Sequence, residues 1–115
     1  MKKIYLCIPY SFNPELSFKI ANEVAAKLMS EGYLVFSPIS HTHKIADHLP
    51  EIVRTDSEFW MQHDLPFVEW CDEICVVVIG EFGMDLIHES KGCTIEIAHA
   101  KKHKKTKRYI NYDDY

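Results

Sequence analysis

The sequence runs to 115 residues, 47% hydrophobic and 26% charged, which is enough for one domain with its own core and leaves little room for a second. Its formal charge of −4 is unevenly spread: residues 1–100 hold 7 Lys/Arg and 15 Asp/Glu, a balance of −8, and residues 101–115 hold 6 and 2, a balance of +4. So acidic a body argues against a nucleic-acid polymer as main partner, and the longest apolar run, Ile74 to Ile79, is far short of the ~20 residues that cross a membrane as a helix.

Met1-Lys2-Lys3 ahead of Ile4–Ile8 imitates a secretory signal, but the apolar stretch is short. Pro9, Tyr10 and Ser11 end it without a small-residue cleavage site, so a first strand is expected. Asn13-Pro14 reads as a cap and first helical residue. Leu16, Ile20, Val24 and Leu28, with Ala21 and Ala25 beside them, then form one helical face, and Gly32 stands where a helix-ending glycine belongs. Tyr33 to Phe36 predicts a short strand. Residues 37–54, with Pro38, Pro50, His41, His43 and His48, predict a functional loop with one helical turn at most. Thr55-Asp56-Ser57-Glu58 matches a capping box, opening a helix to about Leu65 that Pro66 kinks or restarts as far as Cys71. Glu73 to Ile79 is the strongest strand and Glu81–Glu89 a loop. Ser90 opens a helix with Cys93, Ile97 and Ala100 on one face, and Arg108–Tyr112 is a last strand. Cys7, Cys71, Cys75 and Cys93 form no CxxC pair, and a reduced, cytoplasmic protein is expected.

Strands alternating with helices imply an α/β domain spanning 1–115, with a parallel sheet covered on both faces. Ligands of such sheets bind outside the carboxyl ends of the strands. That rule selects Pro9–Asn13, Ser37–His43, Gly80–Glu89 and the start of the Ser90 helix.

Four groups along the chain carry chemistry. Ser90 and Gly92 at a helix start offer a hydroxyl, free N–H groups and room for close approach to an anion, and Glu96 near the second turn could attack an electrophilic carbon. Asp64 could pair with it as a proton donor, since two carboxyls in different environments recur in glycosidic cleavage. The plainer reading makes Ser90 a simple cap and both acids solvent-facing. His41, His43, His48 and His63 form no complete metal motif, so a polar or base-contacting loop is expected and no metal. Lys101–Arg108 reads as a solvated run that complements a helix C-terminus. Tyr10, just past the strand-ending Pro9, is placed to contact a base or sugar.

The order Tyr5-Leu6-Cys7-Ile8-Pro9-Tyr10-Ser11, then Phe36-Ser37-Pro38-Ile39-Ser40-His41, then Asp64, then Ser90-x-Gly92-x-x-x-Glu96-Ile97 resembles the nucleoside 2-deoxyribosyltransferase superfamily over about residues 3–112. Within it, the chain is similar to the 2′-deoxynucleoside 5′-phosphate N-hydrolases, which share the Asp64 to Asp72 spacing. The stretch between Asp64 and Glu96 is longer than theirs, with the extra length near Glu81–Glu89.

The resemblance implies a flavodoxin- or Rossmann-like three-layer sandwich with a four- or five-stranded parallel sheet. By position, it makes Glu96 the nucleophile at C1′ of the sugar and Asp64 the group that assists departure of the base. Ser90 holds the 5′-phosphate, or stands where the transferases direct an Asp to the 5′-hydroxyl. Tyr5, Ser11 and the Ser37–His43 loop, with His41 and His43, line the pocket. The implied activity is hydrolysis or transfer at the N-glycosidic bond of a (deoxy)nucleoside or its 5′-monophosphate, without cofactor. The implied assembly is a homo-oligomer. A non-catalytic nucleotide-binding module is the alternative, and a nucleic-acid accessory role for residues 101–108 is a third reading that the acidic body disfavours.

Overall fold

Side chains of successive strand residues point to opposite faces, and this alternation along the first strand divides the molecule in two. The computed structural model describes residues 1–115. In chain order it comprises β1 (Lys3–Cys7), α1 (Pro14–Ser30), β2 (Leu34–Phe36), α2 (Pro38–Thr42), α3 (Glu51–Arg54), α4 (Ser57–Trp70), β3 (Glu73–Val78), α5 (Gly83–Glu89), α6 (Lys91–Lys102) and β4 (Thr106–Asn111), with 3-10 turns at Ile45–His48 and Tyr112–Asp114. The sheet has four strands in the order β2-β1-β3-β4, all parallel. Ile4, Leu6 and Ile8 point to α1 and meet Ile20, Val24 and Leu28, joined by Cys75 and Val77 of β3. Tyr5 and Cys7 point the other way, with Ile74 and Val76, against Val68, Ile87, Cys93 and Ala100 of α4, α5 and α6. Burial on both faces is why β1 and β3 read as continuous apolar runs. No helix is long and apolar enough to cross a membrane.

The first helix is bounded as its sequence signals require. Asn13 Oδ1 accepts from the Leu16 N–H at 3.2 Å. At the far end Gly32 takes a φ of +98°, which only glycine adopts cheaply. The Gly32 N–H then donates to Met29 O and the Tyr33 N–H to Leu28 O, at 3.0 and 3.2 Å, closing the helix with a left-handed residue.

Other expectations need correction. Asp56, not Thr55, caps α4: its Oδ1 accepts from the Glu58 N–H at 3.0 Å, while the Thr55 hydroxyl donates to Glu51 O. Pro66 lies inside α4 without ending it; the one hydrogen bond it forgoes is outweighed by the helix's packing on β1 and α6. Residues 37–54 hold two short helices and a 3-10 turn, more than the single turn expected. Glu81–Glu89 is not a loop, because α5 fills most of it. Only Gly83 and Ile87 of α5 are buried, too few apolar residues to write a helical period. The last strand starts at Thr106 and pairs with β3 from Glu73 to Val78.

The amino ends of the strands are tied by charge. Glu73, 7% exposed, accepts from Arg108 Nε at 3.0 Å and from Lys2 Nζ at 3.3 Å. Asp72 brackets Lys3: its carboxylate accepts the Lys3 N–H at 2.9 Å, and its own N–H donates to Lys3 O at 2.8 Å.

At the other end α5 lies hard against β3. A Cβ on Gly83 would fall 2.5 Å from Val78 Cγ1 and 3.1 Å from the Val78 carbonyl carbon. Gly83→Ala is therefore expected to destabilise the fold by about 1–3 kcal/mol through overpacking, despite alanine's better helix propensity. Urea unfolding checks this, and a variant as stable as the parent contradicts so close a contact.

Candidate active site

Glu96 lies on the second turn of α6 and is 5% exposed, buried among the residues that meet β1. Two donors from β1 reach it. The Tyr5 hydroxyl donates to Oε2, and Cys7 Sγ donates to Oε1 at 3.5 Å. Burial pushes the Glu96 carboxyl well above its ordinary range, and the charges of Cys93 and Asp64 push the same way, while the Tyr5 and Cys7 hydrogen bonds pull it down. Burial and the nearby Glu96 also raise the Tyr5 phenol, so Tyr5 keeps its proton and remains a donor.

Asp64, on α4, is 6% exposed. Its Oδ1 is the single buried side-chain nitrogen or oxygen without a hydrogen-bond partner, and burial raises its pKa from 3.8 to about 7. Buried polar atoms are almost always paired, which sets this oxygen apart from the rest of the buried polar set. Asp64 borders a cavity of about 230 Å³ lined by Phe59, Trp60, Phe67, His41 and His63 among others. The cavity is walled largely by aromatic side chains and suits a flat heterocycle in size. Phe67 stacks on Phe36 with centroids 3.8 Å apart and planes 5° from parallel, and Phe36 leans on Tyr5 at 5.9 Å. An aromatic ladder thus runs from the cavity wall to the tyrosine that holds Glu96.

A family model described as a domain of unknown function (DUF1937) matches residues 2–110. The chain belongs to the DUF1937 family. Comparison with curated proteins finds no match for it. Among solved structures, this DUF1937 protein is similar to a 2-desoxiribosyltransferase from Leishmania mexicana, at 18% identity and a TM-score of 0.62 over 96% of this chain and 65% of that one. It is also similar to a 2-deoxyribosyltransferase from Bacillus psychrosaccharolyticus, at 22% identity and a TM-score of 0.64 over 95% and 72%. The chain therefore has the 2-deoxyribosyltransferase fold, and it spans just under two thirds of the length of the Leishmania protein.

The DUF1937 chain brings some of the sequence-derived site residues together and keeps others apart. Glu96, Asp64 and Tyr5 gather between the sheet and the α4–α6 pair, and His41 borders the cavity. Ser90 caps α6, its Oγ accepting from the Cys93 N–H at 3.2 Å, which leaves the hydroxyl hydrogen free to donate. Gly92 is open: a Cβ there meets nothing closer than Met61 Cε at 3.9 Å. By contrast, Tyr10 and His43 are engaged with each other, the Tyr10 hydroxyl lying 2.6 Å from His43 Nδ1. His43 Nε2 lies 2.9 Å from Glu15 Oε1, and its ring stacks on Phe18 at 4.3 Å. This histidine braces α1 against the chain after α2, with both ring nitrogens already occupied. Ser37 pairs with Ser40 at 2.8 Å, and Ser11 is exposed on a turn.

Cys7, Phe36 and Phe67 were not among the expected site residues. The period of two along β1 places Cys7 on the same face as Tyr5, and the three-residue step from Cys93 to Glu96 places both on one face of α6. Those two periodicities are the available signals.

The Asp64 environment sets a pH dependence. Its pKa is raised on folding from 3.8 to about 7, so the proton it holds contributes stability that is complete below about pH 4 and is lost as pH rises through 7. Asp64→Asn removes the titration. The variant is expected to melt higher than the parent at pH 8, with a difference of up to a few kcal/mol at ~1.4 kcal/mol per pKa unit, and the gap should close near pH 4. Paired thermal melts at the two pH values check this, and a gap independent of pH contradicts it.

Proposed function

We propose that this protein breaks the N-glycosidic bond of a nucleoside or nucleoside 5′-monophosphate, passing the sugar through an ester with Glu96. The observation that carries the reading is the pair of carboxyl groups in unlike settings. Glu96 is held by two donors from the sheet, and Asp64 has an unpaired oxygen and a pKa of about 7 beside an aromatic cavity. Pairs of acids whose surroundings separate their roles are how glycosidic enzymes obtain both a nucleophile and a proton donor. The fold supports the substrate class, since both structural relatives are named for deoxyribosyl transfer and the Bacillus protein is described as a biocatalyst for nucleoside synthesis.

In this reading the base enters the cavity between α2 and α4, where Phe59, Trp60 and Phe67 offer stacking surfaces. A Glu96 oxygen forms a bond to C1′ as the C1′–N bond breaks, through a transition state with oxocarbenium character. Asp64 gives its proton to the departing nitrogen. Burial outweighs the Tyr5 and Cys7 hydrogen bonds and holds the Glu96 carboxyl well above its ordinary range, so Glu96 gives its proton to solvent before attack, and positive charge growing on the sugar then favours its anion. Water, or a second base, then forms the new bond to C1′ and releases Glu96, with Asp64 taking up the displaced proton. The Ser90 hydroxyl and the free N–H groups at the start of α6 face the 5′-oxygen or phosphate, recognition suited to one small anion in an acidic body.

Incubation with a panel of nucleosides and 5′-monophosphates, monitored for free base, tests the proposal. Glu96→Ala should abolish release, and Asp64→Asn should lower kcat by roughly 10²–10⁴-fold, the usual worth of a positioned acid. The parent rate should fall above pH 7 as Asp64 loses its proton. A Glu96→Ala variant with full activity would overturn the nucleophile. Nucleotides that raise the melting temperature without releasing base would favour the binding-module reading.

A further inference from the structure

We propose that Glu69, His99 and His103 form a binding site for a divalent transition metal of the zinc class, clipping α4 to the end of α6. His99 and His103 stand four residues apart at the carboxyl end of α6, so both rings project from one side of the helix, with centroids 4.5 Å apart. From α4, Glu69 brings a carboxylate whose Oε2 lies 2.8 Å from His99 Nε2. One ligand atom from each of the three residues lies within 4.8 Å of the others. Bonds of 2.0–2.2 Å to a tetrahedral ion set donor atoms about 3.3 Å apart, so small side-chain rotations bring all three onto one ion.

Two imidazoles and one carboxylate are a donor set that zinc accepts with a fourth position left for water. The site is reachable, since Glu69 and His103 are exposed and His99 is half-buried. Lys102 opposes the ion with like charge near Glu69. The other trio of possible donors, Cys7, Cys93 and Glu96, is fully buried, and Cys7 already donates to Glu96. The clip would bridge the helices that carry Asp64 and Glu96, Glu69 lying five residues beyond the first and His99 three beyond the second. The site is independent of the proposed reaction.

Chelator-stripped full-length protein titrated with zinc chloride against a chromophoric chelator tests it. One zinc per chain is expected, with a rise in melting temperature. His103→Ala and Glu69→Gln should each weaken binding at least about tenfold, since loss of a ligand costs no less than loss of an outer partner, while His88→Ala, at an exposed position of α5, should not. Cobalt-loaded protein should lack the thiolate charge-transfer band that Cys7 and Cys93 would produce. No saturable binding, unchanged affinity in both ligand variants, or a thiolate band would each overturn the proposal.

Discussion

A carboxyl group deep inside a small protein must be met by donors or it will refuse its charge. The structure is arranged around this demand at Glu96. Its side chain comes off α6 toward the sheet, and both side chains that donate to it, Tyr5 and Cys7, come from β1. The answer depends on parity: Tyr5 and Cys7 face α6 because Ile4, Leu6 and Ile8 face α1. The α1 layer therefore has a share in the chemistry without touching it. By burying the even side chains of β1 it commits the odd ones to the carboxylate.

Asp64 answers a different demand. It is unmatched on one oxygen, and burial favours the neutral acid there as it does at Glu96. A small domain tolerates this because the rest of its buried polar set is satisfied, notably Ser17 on the Pro9 carbonyl at 2.7 Å and Glu73 between Lys2 and Arg108. Native stability is a narrow margin between large terms, so one unpaired group near a cavity is affordable where several would not be.

Much of the fold was legible because it is written in strong, redundant signals. The strands are continuous apolar runs, and α1 carries a four-residue repeat between an Asn-Pro start and a Gly stop. What stayed hidden lacked such redundancy. α5 is anchored by one glycine contact and one isoleucine, and the short helices after β2 have fewer turns than a period needs. At the site, the positions of Glu96 and Asp64 could be named, yet their burial could not be read. Both stand beside an apolar stripe, where charge and exposure usually go together. His43 is a different case: its loop suggested a ligand contact, and in the structure its ring lies against Tyr10, Glu15 and Phe18. The basic run likewise divides, with Arg108 spent on Glu73 and Lys101, Lys104, Lys105 and Lys107 around a surface hollow.

Asp72 is not one of the two site carboxyls, but its double link to Lys3 has a reach beyond the strand ends. In a parallel sheet, sliding one strand by a single residue exchanges its two faces. Such a slip in β1 would aim Leu6 at Glu96 in place of Tyr5 and Cys7, leaving the acid among methyl groups. By accepting the Lys3 N–H and donating to the Lys3 carbonyl, Asp72 sets the phase of β1 against β3 at its first residue. A surface carboxylate just ahead of β3 thus acts as a vernier for a phenol on β1, two residues beyond the Lys3 that it holds.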